Sequence, residues 1–390
     1  MTGAVLVCNA GSSSLKAEVR ALTMTGVPSP PVLARAQIEC QAGDFAAAAG
    51  RALDALGGQA GGFDALCGSL RAVAHRIVHG GMQFRSTVRI DAAVLQAIEA
   101  LAPLAPLHNP PALAVIRATS RRLPVAVPAF AVFDTAFHAG LPAPAARLPL
   151  PRAWTEAHAV RRFGFHGLAH RAMLETHARV SGCGAGARVI SLQLGQGCSI
   201  TASRGGAPVD TSMGFTPLGG LIMGTRPGDQ DPGALLYLQR MLGLGAVEME
   251  RELSAHAGLL ALSGVSGDMR ELLRLAAGGH DGAQLAISAF CQRARLYLGG
   301  YIAILGGADA VLFGGGIGEH APAVRTGICG ALEALGIELD AAANASAVSV
   351  AGGEAACIST ASSRVAVWVI GVDEAAVMVQ EVLAALGGGA

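Results

Sequence analysis

The chain has 390 residues, of which 52% are hydrophobic and 14% charged, and its formal net charge is zero. This length favours two or three domains, and the apolar content is too high for a disordered chain. The neutral charge balance argues against a nucleic-acid or anionic-membrane partner. The most membrane-like stretch, residues 298–318, contains Asp309 and two glycine breaks. We therefore expect it to form the end of a buried helix, a turn and a buried strand instead of a membrane span.

The N-terminus and the cysteines indicate a cytoplasmic protein. We predict no signal peptide, because the first residues lack a basic segment followed by an apolar core and a cleavage site. Eight cysteines are spread along the chain without a C-x-x-C pair. This spacing is typical of buried thiols in a reducing compartment and argues against a disulfide framework or a zinc site.

The opening segment, VLVCNAGSSSLK, reads as a buried strand that breaks at Gly11 into three serines and ends on Lys16. Lys16 is the only lysine among the 28 Lys and Arg residues, which suggests a site where a compact ammonium is needed. Small residues after a strand expose backbone N–H groups and hydroxyls that can hold a phosphate or orient a metal. The alternative is a turn of small residues with an incidental lysine.

Further along the first half, a helix is predicted over 45–56, and residues 73–81 form a strand carrying Arg76, with Val78 on the same face. A buried arginine needs an anion, either a ligand or a structural ion-pair partner. His108 stands alone in a proline-rich turn, where a histidine is usually structural. A helix predicted over 112–122 follows it.

Residues 125–137 form an apolar strand that Asp134 interrupts. Carboxylates in such positions are usually paired, bound to a metal or catalytic. A Pro/Ala stretch over 139–160 is a plausible crossing between two halves of the chain. Residues 161–170 then begin a helix that runs to about Val180. His166 and His170 share a face if the helix covers both, but metal ligation there is weakly supported, since no third ligand is evident.

Residues 189–200 repeat the opening pattern of strand, small-residue turn and strand, about half of the 390-residue chain later. This spacing predicts an internal duplication with two halves facing each other across a cleft, the usual place for a small-molecule site. Arg226 lies among small residues and is a candidate anion clamp. Asp268 is a predicted first-turn acid of a helix. A glycine turn at 314–318 follows a strand and precedes a helix, and a last strand reaches Asp373 and Glu374 before a helix to Leu386.

Taken together, the motifs occur in the order found in the acetate kinase family, whose relatives include propionate and butyrate kinases. The resemblance runs from about residue 5 to residue 376 and is carried by NAGSSSLK, HRIVHGG, APLHNPP, AVFDTAFH, RRFGFHG, VDTSMGFTPL, GTRPGD, SGDMR, FGGGIGE and VDE. It implies an α/β protein with the duplicated actin/hexokinase/Hsp70-like (ribonuclease H-like) fold. The expected domains are 1–138 with 371–390, and 139–370, the second carrying nucleotide binding and dimerisation.

The resemblance also implies a Mg²⁺-dependent, reversible transfer of the ATP γ-phosphoryl group to acetate, giving acetyl phosphate and ADP, by a cytoplasmic homodimer. The implied catalytic residues are Arg76, Asp134, His166 and Arg226. The implied substrate-binding residues are Arg76, Val78, Leu107, His108, Phe165 and Pro217. The implied nucleotide-binding residues are Ser12, Ser14, Lys16, Gln193, Leu194, Gly195, Gln196, Gly197, Asp268, Met269, Arg270, Gly314, Gly315, Gly316, Ile317 and Gly318. Asn9 and Glu374 would place Mg²⁺, which Mn²⁺ can replace.

The chemistry supports these implied roles. Carboxylate and ATP are both anions, so in-line transfer needs cations on both sides. Arg76, Arg226, Lys16 and Mg²⁺ supply them, and His166 can donate a hydrogen bond to the phosphoryl oxygens. A carboxylate nucleophile is already deprotonated at neutral pH, so we expect Asp134 to orient Mg²⁺ or an arginine and not to act as a strong base.

The sequence departs from the family pattern mainly on the nucleotide side. The usual H-L-G-N-G turn is here Gln193 to Gly197, with glutamine replacing both histidine and asparagine. Glutamine keeps hydrogen-bonding capacity but cannot carry charge. Leu168 and Ala169 replace two hydroxyl residues, and His320 replaces an asparagine. Three alternatives therefore stay open: a propionate or butyrate kinase, a relative using a non-ATP donor such as pyrophosphate, and a non-catalytic nucleotide-binding protein.

Overall fold

The computed structural model describes residues 3–11, 13–22, 29–40, 43–348 and 350–387. The predicted nucleotide-binding residue Ser12 lies outside the described residues. The chain forms two compact units. Unit 1 comprises residues 1–139 and 373–390, and unit 2 comprises residues 140–372.

Twelve strands are present in the described residues. They are β1 Ala4–Ala10, β2 Ser14–Ala21, β3 Val32–Glu39, β4 Leu70–Ile77, β5 Val88–Arg89, β6 Ala129–Phe133, β7 Arg188–Leu194, β8 Cys198–Arg204, β9 Ala207–Thr211, β10 Ala310–Gly314, β11 Ala355–Cys357 and β12 Ala366–Ile370.

Sixteen α-helices connect and cover these strands in the same parts of the chain. They are α1 Phe45–Gln59, α2 Phe63–Ser69, α3 Ala92–Ala100, α4 Asn109–Arg122, α5 Ala143–Ala146, α6 Arg152–Ala157, α7 Gly167–Ser181, α8 Pro232–Leu242, α9 Ala246–Ala255, α10 Gly258–Ser263, α11 Met269–Ala277, α12 Asp281–Leu305, α13 Gly315–His320, α14 Pro322–Cys329, α15 Ala341–Ser346 and α16 Glu374–Gly387. Short 3-10 helices lie at Ala102–Leu104, Phe137–Gly140 and Glu333–Leu335. None of the helices described is long and apolar enough to cross a membrane.

The sheet of unit 1 has the strand order β3-β2-β1-β4-β6-β5. The first three strands form an antiparallel meander, whereas β1, β4 and β6 are parallel neighbours. The three parallel strands are apolar runs that are buried along most of their length, as expected of strands covered on both faces. Because they run in the same direction, their carboxyl ends meet at one edge of the sheet.

The sheet of unit 2 repeats this topology. Read from β9, its order is β9-β8-β7-β10-β12-β11, with an antiparallel meander, three parallel central strands and an antiparallel edge strand. Each strand therefore has a counterpart of the same direction in unit 1. This correspondence confirms the predicted duplicated α/β fold.

Helix α1 shows how the covering layer forms. Its buried residues include Phe45, Ala48, Ala52 and Leu56, which recur at three- and four-residue spacing and so line one face. That face belongs to the same apolar core as alternate residues of β1 and β2. The sequence predicted this helix over 45–56, and it continues to Gln59.

Two predicted helix starts were wrong. Helix α4 begins at Asn109 and not at Ala112, because Pro110 and Pro111 fit a first turn whose N–H groups have no helical partner. Helix α7 begins at Gly167, so it does not cover both histidines of the predicted pair. His166 lies just outside the helix in a left-handed conformation, with φ of 56°.

Candidate functional site

A polar cluster forms at the carboxyl ends of the parallel strands of unit 1. We define the unit 1 polar cluster as Asn9, Arg76, Asp134 and Glu374. Nη1 of Arg76 donates a hydrogen bond to Oδ1 of Asn9 at 3.1 Å, and Nη2 of Arg76 forms an ion pair with Asp134. Nδ2 of Asn9 lies 3.5 Å from Oε2 of Glu374, in the first turn of α16. Three strand ends and one helix start thus bring together residues far apart in the chain.

The cluster carries more negative than positive charge. Asp134 is 1% exposed, and its Oδ1 has no hydrogen-bond partner among the described residues. Burial lowers the pKa of Arg76, but Asp134 and Glu374 more than offset this effect and raise it overall. Burial raises the pKa of the Glu374 carboxyl, with Arg76 opposing and Asp134 reinforcing the shift. A buried carboxylate oxygen without a hydrogen-bond donor in the described part of the chain, as at Asp134, favours binding of a cation.

The lone lysine faces this cluster from the neighbouring strand. Lys16 lies on β2 directly opposite Asn9 of β1, so both side chains point to the same face of the sheet. The Lys16 side chain is exposed, and its positive charge acts to lower the pKa of Glu374, against the larger effect of burial. Ser14 begins β2, and its backbone oxygen accepts a hydrogen bond from the N–H of Gly11 at 2.8 Å. This contact closes the turn between β1 and β2.

The predicted acyl-pocket residues are divided between the two units. In unit 1, Val78 is buried, Leu107 is 61% exposed, and His108 immediately precedes helix α4. In unit 2, Phe165 is 2% exposed, and the carbonyl of Pro217 accepts a hydrogen bond from Nη1 of Arg226 at 2.9 Å. Strand β4 ends at Ile77, so the predicted alternation of faces does not extend to Val78.

In unit 2, His166 and Arg226 meet beside the glycine turn that ends β7. A Cβ atom built on Gly197 would lie 2.7 Å from Nη2 of Arg226 and 3.3 Å from Nε2 of His166, so a side chain there would displace the Arg226 guanidinium. Burial lowers the pKa of Arg226, with a small opposing effect from Cys198. No ion pair is formed by Arg226 with any carboxylate of the described residues. The arrangement leaves a half-buried cation beside a histidine, which suits an anionic ligand.

The predicted nucleotide-binding segments of unit 2 surround a cavity of about 320 Å³. Seven of the predicted residues line it: Gly195, Gln196, Asp268, Met269, Arg270, Gly316 and Ile317. Gln193, Leu194, Gly197, Gly314, Gly315 and Gly318 belong to the same turns but do not line this cavity. Gly267, Leu273, His320 and Ala321 also line it and were not predicted. The helical spacing of Leu273 from Met269 was the signal that could have identified Leu273.

Local geometry explains two of these segments. Gly315 has a φ of 76°, and a Cβ there would lie 2.6 Å from the carbonyl oxygen of Leu194, so α13 can start this close to β7 only with glycine. Asp268 precedes α11, and its carboxylate accepts a hydrogen bond from the N–H of Arg270 at 2.8 Å. It is therefore the N-cap of this helix and not an acid of its first turn.

Two buried serines behind His166, Ser191 and Ser199, were not predicted from the sequence. Nδ1 of His166 lies 2.9 Å from Oγ of Ser199, which in turn lies 2.7 Å from Nε2 of His170. Nδ1 of His170 lies 2.8 Å from Oγ of Ser191. Ser191 and Ser199 lie on neighbouring strands, β7 and β8, and both are fully buried. The i,i+4 spacing of the two histidines was a signal, but it reflects a hydrogen-bonded chain through Ser199.

Comparison with known proteins gives consistent matches over both units. A profile of the Acetokinase family matches residues 4–380. The chain is 43% identical to the acetate kinase of Micrococcus luteus over 383 residues, which cover 95% of this chain and 96% of that protein. The crystal structure of Porphyromonas gingivalis acetate kinase is similar with a TM-score of 0.88 and 33% identity, covering 98% and 100% of the two chains. A propionate kinase from Francisella tularensis gives a TM-score of 0.86 at 34% identity, covering 97% and 98%.

Proposed function

Because the chain belongs to the acetokinase family, we propose that it catalyses the reversible transfer of the ATP γ-phosphoryl group to acetate, giving acetyl phosphate and ADP. In this reaction an acetate oxygen attacks the γ-phosphorus, the bond to the bridging oxygen breaks, and ADP leaves with the electron pair. Acetate is ionised at neutral pH, so no group of the protein has to remove a proton. The protein's task is to hold two anions in place and to stabilise charge.

The unit 1 polar cluster carries the proposal most directly. Arg76 is oriented by Asp134 and Asn9, and its Nε lies 4.0 Å from Oε2 of Glu374 in a longer ion pair. A guanidinium held in a fixed orientation is suited to bind a carboxylate or phosphoryl oxygen. Asp134 then acts as the residue that orients Arg76, as its ion pair suggests.

In unit 2 we assign His166 and Arg226 to the phosphoryl oxygens. Both present donors beside Gly197, and Arg226 has one backbone carbonyl as its hydrogen-bond partner. Preorganised donors of this kind contribute to the transition state because they need no rearrangement as charge develops. Removing one of them is expected to reduce kcat by about 10²–10³-fold.

We propose that Asn9 and Glu374 hold Mg²⁺, which Mn²⁺ can replace. The oxygen atoms of Glu374, Asn9 and Asp134 lie in one cluster and suit Mg²⁺, although Oδ1 of Asn9 also accepts a hydrogen bond from Arg76 and only Oδ1 of Asp134 has no partner among the described residues. No group of three or more His, Cys, Asp or Glu suited to a metal is found in the described residues. Mg²⁺ bound with phosphates commonly takes only one or two protein carboxylates. When bound, it would neutralise phosphate charge.

We propose ATP as the phosphoryl donor instead of pyrophosphate. Met269, Leu273 and Ile317 give the unit 2 cavity an apolar lining. Such a lining suits a purine ring, whereas the charged pyrophosphate ion would gain no favourable contact from it. Lys16 on the β2 strand is assigned to the nucleotide phosphates. Gln193 and Gln196 replace the residues usual in this family, but both keep amide groups that can hydrogen-bond phosphate oxygens.

An acyl-phosphate assay tests the proposed function. Hydroxylamine trapping with Mg²⁺ should detect product from ATP and acetate, with pyrophosphate inactive as donor. Comparing kcat/KM for acetate, propionate and butyrate decides the acid, since one methylene is worth only about 1–3 kcal/mol in a pocket. The propionate kinase match makes propionate the main competitor. Tight ATP binding with no acyl phosphate from any of these acids would instead indicate a non-catalytic nucleotide-binding protein.

We also propose a cytoplasmic homodimer. All eight cysteines are free thiols, which suits a reducing compartment. Helix α8 has no buried residue, and Leu236, Tyr237, Met241 and Leu242 on it are each at least 55% exposed. Contiguous exposed apolar side chains of this kind are typical of a protein interface. Light scattering of the wild type and of Met241→Glu tests this: a dimer that dissociates in the variant supports it, and a monomeric wild type contradicts it.

A further inference from the structure

His166 is the end of a chain of four hydrogen-bonding side chains in unit 2. Nδ1 of His166 lies 2.9 Å from Oγ of Ser199, and the same Oγ lies 2.7 Å from Nε2 of His170. The other ring nitrogen of His170, Nδ1, lies 2.8 Å from Oγ of Ser191. We define these residues as the histidine–serine chain. His170 and both serines are fully buried, so bulk water does not supply their partners.

The hydroxyl proton of Ser191 sets the direction of this chain. Oγ of Ser191 has Nδ1 of His170 as its only hydrogen-bond partner among the described residues. An acceptor for its proton stabilises a buried hydroxyl, and Nδ1 of His170 is the acceptor within reach of Ser191, so Ser191 donates to it. His170 is then protonated on Nε2, which donates to Oγ of Ser199. The hydroxyl of Ser199 in turn donates to Nδ1 of His166.

The opposite direction leaves a buried proton without an acceptor. If Nδ1 of His170 donated to Ser191, the Ser191 hydroxyl would have nowhere to donate. In that arrangement a neutral His166 would be protonated on Nδ1 and unprotonated on Nε2. The first direction gives an acceptor to the Ser191 hydroxyl, to Nε2 of His170 and to the Ser199 hydroxyl.

We propose that His170, Ser199 and Ser191 are positioning residues that keep His166 neutral and protonated on Nε2. His166 then donates a hydrogen bond to the transferring phosphoryl group without carrying a positive charge itself. The backbone of His166 is in the left-handed region, with φ of 56°, which is uncommon for a residue other than glycine. The inference rests on the proposed function for its catalytic consequence, but the tautomer of His166 is a property of the free protein.

The test combines NMR with kinetics. Histidine side-chain ¹⁵N spectra, assigned with His166→Gln, distinguish protonated from unprotonated ring nitrogens. We expect His166 in the wild type to be protonated on Nε2 and bare on Nδ1. Ser191→Ala removes the terminal donor without touching His166, and Ser199→Ala removes the link itself. In both variants we expect His166 to be a mixture of the Nδ1- and Nε2-protonated tautomers and kcat to fall about tenfold. This loss is smaller than the roughly 10⁴-fold effect of locking a catalytic histidine in the wrong tautomer.

Ser203→Ala is the matched control. Ser203 is also fully buried on β8, and its Oγ has no hydrogen-bond partner among the described residues. This variant should leave both the tautomer and kcat unchanged. A wild-type His166 protonated on Nδ1 would overturn the proposal, as would a Ser191→Ala protein with unchanged tautomer and kcat. If the wild type makes no acyl phosphate, the proposed function fails, yet the spectra still decide the direction of the histidine–serine chain.

Discussion

Asp373 and Glu374 are adjacent in the chain, yet the pKa values of their carboxyl groups are displaced in opposite directions. Burial would raise the pKa of Asp373, but two hydrogen bonds from Arg20, at 2.8 and 2.9 Å, and one from Ser29 lower it overall. Glu374 joins the unit 1 polar cluster, where burial and Asp134 raise its pKa against the effect of Arg76. Ionised Asp373 therefore stabilises the folded protein, whereas ionised Glu374 destabilises it.

Substitution Glu374→Gln is expected to stabilise the protein while inactivating it. The pKa of Glu374 is higher in the folded than in the unfolded state, so the ionised form opposes folding once the pH exceeds about 4.3. Below about pH 4 the carboxyl is protonated in both states and the difference vanishes. Urea unfolding should thus show a higher free energy of unfolding for the variant at pH 7 and no difference from the wild type at pH 4. The kcat of the variant should fall about 10²-fold or more. Lower stability at pH 7 would contradict the assigned electrostatics.

Substitution Asp373→Asn is expected to have the opposite effect on stability. The lowered pKa of Asp373 contributes stability above the unfolded value of about 3.9, and this contribution is lost as the pH falls through the lower folded value. Breaking the buried pair with Arg20 should reduce the free energy of unfolding by about 3 kcal/mol at pH 7. The difference in free energy of unfolding between the variant and the wild type should be smaller at pH 3. A deficit independent of pH would indicate lost packing instead of a lost ion pair.

Substitution Lys16→Ala should remove most activity without unfolding the chain. Lys16 is exposed on β2, so its truncation leaves no cavity, but it removes the cation assigned to the nucleotide phosphates. We expect kcat/KM for ATP to fall about 10²-fold or more at an unchanged melting temperature. Gln37→Ala is the control, because Gln37 is the exposed cross-strand neighbour of Lys16. Near-normal turnover of Lys16→Ala would show that the lone lysine has no catalytic use.

Substitution Arg226→Ala is expected to reduce kcat by about 10²–10³-fold at little loss of stability. The folded protein gains little from this guanidinium, because burial lowers its pKa and it donates to one backbone carbonyl. Arg204→Ala is a suitable control, since Arg204 also donates to one backbone carbonyl, that of Leu305. Circular dichroism melts and the hydroxamate assay give the two readouts. A large drop in melting temperature would assign Arg226 a structural role.

Substitution Gly316→Phe should block the unit 2 cavity. A Cβ on Gly316 meets no atom within 4 Å, and this residue lines the cavity, so an aromatic ring can enter without backbone strain. We expect the KM for ATP to rise at least about tenfold while the KM for acetate changes little. Gly58→Phe, also at a helical glycine with open space, is the control. An unchanged KM for ATP would place the nucleotide elsewhere.

Most of the fold could be predicted from the sequence. The apolar runs before Gly11, Gly195 and Gly314 are strands, and the repeat of the opening pattern halfway along the chain corresponds to the repeated sheet topology. These signals are local, because strand and turn chemistry depend on neighbouring residues. The helix starts at Asn109 and Gly167 were less accessible, since the first depends on prolines tolerated in a first turn and the second on a left-handed histidine.

By itself, the sequence determined the candidate site residues: one lysine, an arginine and an aspartate in apolar runs, and glycine turns between small residues. Only the tertiary structure decided which of them interact. Asn9, Arg76 and Asp134 meet because β1, β4 and β6 pair in parallel, a relationship between residues far apart in the chain. Likewise, Ser199 joins His166 to His170 because β8 pairs beside β7, and burial leaves the Ser191 proton a single acceptor. Strand pairing and exclusion of water act across the fold, so no local pattern encodes them.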